Sequence, residues 1–272
     1  MSRSGIVTLI TDFGHRDVYA GVLHGVILGL YPHLRVVDLA HDVRPQAVLE
    51  GAFLLESAYR HFPAGTVHLG VVDPGVGTER TIVAMETPLA LFVAPDNGLL
   101  TVVWEHLLPE ERDTARIVEL DKPHLWRTQV SATFHGRDIM APVAAHLASG
   151  MALAEVGRAR QELLLLPESR PTHHEDGTLQ GQVVHVDRFG TLATNIPAAQ
   201  VAAGPVTVEA GGVVLRGLAR TYGERPAGEL LALIGSDGRL EIAVREGSAA
   251  ERLGLEIGSP VWVRPGRPQS AR

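Results

Sequence analysis

The sequence predicts an α/β protein in two parts: an N-terminal domain with a mostly parallel sheet flanked by helices, and a smaller all-β domain behind it. Three observations carry this expectation. Strand-like and helix-like stretches alternate as far as Ser149, the alternation breaks down between Gly150 and Leu179, and short β-branched runs between Gly-rich turns follow from Gly181.

Gly5–Ile10 is a continuous apolar run of strand length, as a strand buried on both faces requires. Asp17–Leu30 reads as a helix, Leu34–Leu39 as a second strand and Pro45–His61 as a second helix, which is βαβα order. Thr66–Val72, Thr81–Met85, Leu89–Ala94 and Arg116–Leu120 add apolar, β-branched runs, and Arg137–Ser149 reads as a further helix. These elements set a first domain at 1–165. The stretch LLLLPESRPTHHEDG, rich in Pro and charge, marks a linker at about 166–177. A second domain at 178–268 holds the runs GQVVHV, TLATNI, VTVEA, VVLRG, ELLALI, RLEIAV and PVWVR, the pattern of a small sandwich or barrel.

At 272 residues, with 45% hydrophobic and 20% charged content, the chain has enough apolar matter for ordinary cores. Its 24 Lys and Arg against 31 Asp and Glu give a net charge of −7, which repels phosphate backbones and anionic lipid surfaces, so neither nucleic acid nor membrane is an expected partner. The absence of cysteine excludes disulfides, thiolate catalysis and Cys-based zinc sites. The apolar run near the N-terminus turns polar at Thr11 and Asp12, too short for a signal peptide, and a cytoplasmic location is expected. None of the 13 histidines falls in an HExxH pattern, and no GxSxG elbow is present.

In parallel α/β sheets ligands bind beyond the carboxyl ends of strands, where this sequence places Asp12, Asp38, Asp73 and Asp96. Each carboxylate alone suits a cap or a turn; together they suit a cation, either a divalent metal or an organic cation such as a sulfonium. The segment VVDPGVGTER sets Asp73 and Arg80 on a Gly-rich loop where the guanidinium can fold back on the carboxylate. ATFHGRDIM places His135 just before a helix start, whose dipole favours a neutral imidazole. Gly21, Gly25 and Gly29 share one helix ridge, as tight helix-on-sheet packing would require.

The blocks LITDFGHRDVYAGVLHG, VVDPGVGTER, APDNGLL, TFHGRDIMAPVAAHLA, VDRFGTLATNI and GSDGRLEIAVREGSAAERLG, in this order and spacing, resemble the adenosine-forming S-adenosylmethionine hydrolases, relatives of fluorinase and chlorinase. The resemblance implies a C-terminal β-barrel, a homotrimer with active sites between subunits, S-adenosyl-L-methionine as substrate, adenosine as product, and neither cofactor nor metal. It assigns Asp73, Arg80 and His135 to catalysis and Asp12 to the ribose hydroxyls. Asp187 would hold the methionine ammonium, Ser236 and the backbone at Val244 the amino-acid or adenine end, and Phe134 and Phe189 the apolar part of the pocket. Halogenases resemble one another in having Tyr where Asp73 stands and a long insertion before the APDNGLL block, so both features favour water over halide here. The family usually has Asn at the positions of Thr191 and Arg245, so substrate contacts are expected to depart there. A halide-using enzyme and a non-catalytic adenosine or S-adenosylmethionine sensor are the alternatives.

Overall fold

The computed structural model describes residues 2–201 and 205–265. Positions 266–268, the expected end of the second domain, lie outside them. The chain divides at Leu166/Pro167 into two compact units.

The first unit runs β1 (Ile6–Thr11), α1 (Tyr19–Leu30), β2 (Arg35–Ala40), α2 (Val48–Tyr59), β3 (Thr66–Val71), β4 (Ile82–Glu86), β5 (Ala90–Pro95), α3 (Thr101–Glu105), α4 (Pro109–Thr114), β6 (Arg116–Glu119), α5 (Ala141–Ala148), α6 (Leu153–Val156) and β7 (Arg158–Arg160). Its seven strands form one sheet in the order β2-β1-β3-β5-β4-β6-β7. The pairings β2-β1, β1-β3 and β3-β5 are parallel, and those from β5 onward are antiparallel. Chain length decides the change: a parallel crossover needs a dozen or so residues, and only Thr87-Pro88-Leu89 separate β4 from β5.

Alternation along the strands assigns the two faces. Val7 and Leu9 of β1 with Val67, Leu69 and Val71 of β3 join Leu23 and Ile27 of α1 and Val143, Ala144 and Leu147 of α5 in one core. On the other face Gly70 of β3 lies against Leu99 and Ile10, and Gly51 of α2 against Leu99 and Val72; a Cβ at Gly51 would stand 2.9 Å from Leu99 Cδ1. The α1 ridge departs from expectation. An added Cβ at Gly21, Gly25 or Gly29 meets nothing within 4 Å, because α1 turns the opposite side, Leu23 and Ile27, into the core.

The expected single helix over Arg137–Ser149 is also divided. Gly136–Met140 forms a π-helical turn, with Ala141 N–H bonded to the Gly136 carbonyl five residues back, and α5 follows. Pro142 supplies no N–H for the carbonyl of Asp138 four residues before it, and that carbonyl instead accepts the Arg127 N–H at 2.9 Å.

The second unit comprises β8 (Thr172–His173), β9 (Leu179–Val186), β10 (Leu192–Pro197), β11 (Val206–Ala210), β12 (Val213–Arg216), β13 (Leu230–Ile234), β14 (Arg239–Val244), α7 (Ala249–Leu253) and β15 (Pro260–Pro265). They pair antiparallel in the order β12-β11-β15-β9-β10-β14-β13, with β8 alongside β9. The Ala219 N–H bonds to the Ala232 carbonyl at 2.8 Å, bringing the chain after β12 onto β13 and nearly closing the sheet into a barrel. Inward residues such as Val183, Leu192, Val208, Ile242 and Val261 fill it. Residues 167–177, read as linker, group with this unit, and Thr172–His173 pair with β9. Among the described residues no helix is long and apolar enough to cross a membrane.

Candidate active site

Beyond the carboxyl end of β3 the chain turns through Asp73-Pro74-Gly75-Val76-Gly77 before reaching Arg80. Two glycines make this loop possible. Gly77 adopts φ +79°, and a Cβ on it would stand 2.2 Å from the Ala132 carbonyl oxygen; a Cβ on Gly75 would stand 3.2 Å from Arg80 Cγ. The loop therefore lies against backbone of the 131–135 segment and lets Arg80 fold back.

Arg80 Nε donates to Asp73 Oδ1 at 2.8 Å and to Oδ2 at 3.0 Å, and Nη2 adds a further bond to Oδ2. The same Nη2 donates to His135 Nδ1 at 3.0 Å. The side chains of Asp73 and Arg80 are only 5% and 10% exposed, so this is a charge pair largely removed from water. A guanidinium only donates, so Nδ1 of His135 is the acceptor and the proton of the neutral ring sits on Nε2. Burial and then the Arg80 charge push the His135 pKa below its usual 6.5, opposed by Asp73 and Asp138. Both causes favour the neutral imidazole, as does its place at the N-cap of the Gly136–Met140 turn.

Asp138, wholly buried in the π-helical turn, anchors the segment carrying His135. It accepts Arg137 Nε at 2.7 Å and the Ser131 N–H at 2.9 Å. Phe134 meets the rings of Phe13 at 5.6 Å and Tyr19 at 5.5 Å, edge to face, with Arg137 over its own ring at 5.1 Å. Sequence reading found Phe134 but missed Phe13 and Tyr19. Phe13 adjoins Asp12, which was the available signal.

Asp12 accepts the Gln46 N–H at 2.9 Å, from a residue held at φ +67°. The other strand-end carboxylates are engaged as well. Asp96 pairs with Arg160 at 2.6 Å and accepts the Leu164 N–H at 2.9 Å, while Asp38 lies between His24 and His41. The rim is thus not the field of bare negative charge that the sequence suggested, since Asp73 and Asp96 each carry a compensating guanidinium.

In the second unit Asp187, Phe189, Thr191 and Val244 line a cleft of about 670 Å³ with Tyr222 and Arg245. Asp187 Oδ1 accepts the N–H groups of Phe189 (2.9 Å) and Thr191 (2.8 Å), closing a turn that leaves Phe189 78% exposed. Gly190 is required there: φ is +81°, and a Cβ would stand 2.0 Å from Oγ of Ser248, the N-cap of α7. Arg245 turns its guanidinium to the Arg225 carbonyl at 2.9 Å and to Glu246 at 3.4 Å. Tyr222, unrecognised in the sequence, donates to Glu241 at 3.0 Å, and burial together with the Glu241 and Asp187 charges pushes its pKa up to about 12. Ser236 is not among the cleft residues. It occupies the β13–β14 turn, with Oγ 3.4 Å from Asp237, whereas Val244 ends β14 and pairs with Leu230 at the far end of the hairpin.

Comparison with known proteins matches both units. Residues 7–157 match the N-terminal domain model, and residues 181–262 the C-terminal domain model, of SAM hydroxide adenosyltransferase. A Thermus thermophilus protein named (R)-S-adenosyl-L-methionine hydrolase is 41% identical over 94% of this chain and 98% of its own. One of the same name from Salinispora tropica is 39% identical over 98% of this chain and 100% of its own. A fluorinase from Nocardia brasiliensis is 28% identical over 97% and 98%. A solved structure of an uncharacterized conserved protein from Thermotoga maritima superposes with a TM-score of 0.85 at 38% identity, covering 96% of this chain and 100% of that one. With both domain models matched in order, the chain belongs to the SAM hydroxide adenosyltransferase family.

Proposed function

We propose that this protein hydrolyses S-adenosyl-L-methionine to adenosine and L-methionine by attack of water on C5′. The observation that carries the reading is the single guanidinium of Arg80 bonded to both Asp73 and His135. Attack forms the O–C5′ bond and breaks C5′–S, and the electron pair leaves with sulfur as a neutral thioether. The leaving group therefore needs neither acid nor metal, and only the water must lose a proton. His135 Nδ1 is occupied by Arg80, so its Nε2–H serves as a donor that orients the water oxygen. Asp73, a carboxylate with acceptor sites beyond those used by Arg80, takes the proton. In-line positioning in a site shielded from bulk water supplies the larger share of the acceleration.

Asp12 holds the ribose hydroxyls, and Phe134 with Phe13 and Tyr19 forms the apolar wall. Asp187, Phe189, Thr191 and Val244 contribute the methionine and adenine contacts from a neighbouring subunit of a homotrimer, while Ser236 stands outside their cleft on the β13–β14 turn. The reaction is metal-independent and cytoplasmic in this reading. Asp73 in place of the halogenase tyrosine, and relatives of hydrolase name at 41% and 39% identity against 28% for the fluorinase, favour water over halide.

The test is incubation with S-adenosylmethionine and EDTA, with and without chloride, with products identified by mass spectrometry. Adenosine and methionine are expected. A 5′-halogenated adenosine would identify a halogenase, and binding without turnover a sensor. Sedimentation measures the trimer, and cell fractionation the location.

A further inference from the structure

We propose that His24, Asp38 and His41 form a binding site for a divalent metal of the zinc class, separate from the Asp73, Arg80 and His135 group. His24 comes from α1, Asp38 from the end of β2 and His41 from the loop after it, and one ligand atom of each lies within 4.8 Å of the others. Asp38 Oδ1 stands 2.7 Å from His24 Nε2 and 3.0 Å from His41 Nε2. Two imidazoles and a carboxylate are a recurring protein donor set for zinc, leaving a fourth position for water. Bonds of about 2.0–2.1 Å in a tetrahedron set donor separations near 3.3 Å, within the span present here.

The buried member of the group points to a ligand. His41 is 1% exposed, and its Nδ1 lies 2.8 Å from Thr11 Oγ1, which also accepts the Phe13 N–H. A proton on Nδ1 donated to Thr11 leaves the Nε2 lone pair facing Asp38 and His24, the outer-shell arrangement that fixes the tautomer of a metal-bound histidine. Nε2 is a buried nitrogen without a hydrogen-bond partner: the Asp38 oxygen is at the right distance but off the direction a bond requires. A cation there gives His41 Nε2 its partner and takes the place of the proton shared between His24 Nε2 and Asp38 Oδ1 at 2.7 Å. Asp38 and His24, with 44% and 29% of their side chains exposed, leave an entry path from solvent.

In the order β2-β1-β3 the cluster lies on one side of β1 and Asp73 on the other, about two strand spacings or 10 Å away across the sheet. The metal is accordingly a brace rather than a participant in the reaction. It ties α1 to the end of β2, and through the Gly14 N–H bonded to the His41 carbonyl at 2.7 Å it steadies the segment that carries Asp12.

Full-length protein stripped with EDTA and titrated with zinc should bind one tight equivalent per chain and melt at a higher temperature. Titration with cobalt(II) should show the intense visible absorption of low-coordinate cobalt. His24→Ala and Asp38→Asn should each weaken the tight equivalent by at least the 10- to 100-fold that loss of an outer-shell partner alone causes. Both variants should retain the wild-type circular dichroism. No tight equivalent in the wild type, or one that survives in both variants, overturns the proposal. Adenosine release in EDTA is scored separately, so failure of zinc binding and failure of the hydrolase reading are distinct results.

Discussion

Arg80 Nη2 donates to His135 Nδ1 at 3.0 Å while the rest of the same guanidinium grips the Asp73 carboxylate, so one cation fixes the position of both neighbours and the tautomer of the imidazole. Asp73→Asn removes the proton acceptor and leaves a group of the same shape. Adenosine release monitored by chromatography should show kcat lower by about 10²- to 10⁴-fold. His135→Gln, whose amide oxygen can still accept from Arg80 while its nitrogen donates, should lose less. Equal activity of Asp73→Asn and wild type would remove Asp73 from the reaction.

The same contact sets a pH dependence. Protonating His135 would put two cations at hydrogen-bond distance and destroy the bond, so the neutral ring is the working form. Its pKa is depressed below 6.5 by burial and by Arg80. Activity should therefore be level through neutrality and fall only below pH 6.5. Titration of His135 by NMR should show its pKa rising in Arg80→Gln, where the cation is gone; an unchanged value would leave burial as the sole cause.

Gly77→Ala should harm the site without touching substrate. The new methyl would meet the Ala132 carbonyl oxygen, and φ +79° costs a non-glycine residue about 1–2 kcal/mol. Melting should fall by about 2–4 °C per kcal/mol for a domain of this size, with a kcat loss on the order of 10²-fold as His135 is displaced from Arg80. Gly25→Ala is the contrast. With nothing within 4 Å of its Cβ on an α-helix, it should be neutral or stabilise by up to about 1 kcal/mol.

Acid stability should report His68. This ring is stacked on Phe92 and bonded through Nδ1 to Thr8 at 2.7 Å, its Nε2 is buried without a partner, and burial lowers its pKa to about 3. The unfolded chain binds its proton near 6.5, so the stability is complete above that pH. It is lost at about 1.4 kcal/mol per pH unit on descent toward pH 3. Urea melts at pH 7 and pH 4.5 should show a smaller loss for His68→Gln than for wild type.

Local sequence determined much of this protein. The strand runs Ile6–Thr11 and Thr66–Val71 were legible because buried strands are nearly continuous apolar runs that end in turn formers, the edge strand Arg35–Ala40 by its β-branched Val36-Val37, and the barrel runs because Gly-rich turns separate them. The Asp73 to Arg80 bond was legible too, since both ends lie on one short loop rich in glycine. Tertiary structure alone decided the rest. Whether α1 turns its glycines or Leu23 and Ile27 to the core, which donor takes the Asp138 carbonyl that Pro142 leaves free, and which cation neutralises Asp96 all depend on residues outside the local segment. Arg160 reaches Asp96, Ala132 limits Gly77, and His24 on a helix meets His41 beyond a strand. Periodicity records which side of an element is apolar; what faces that side is fixed only when the elements pack.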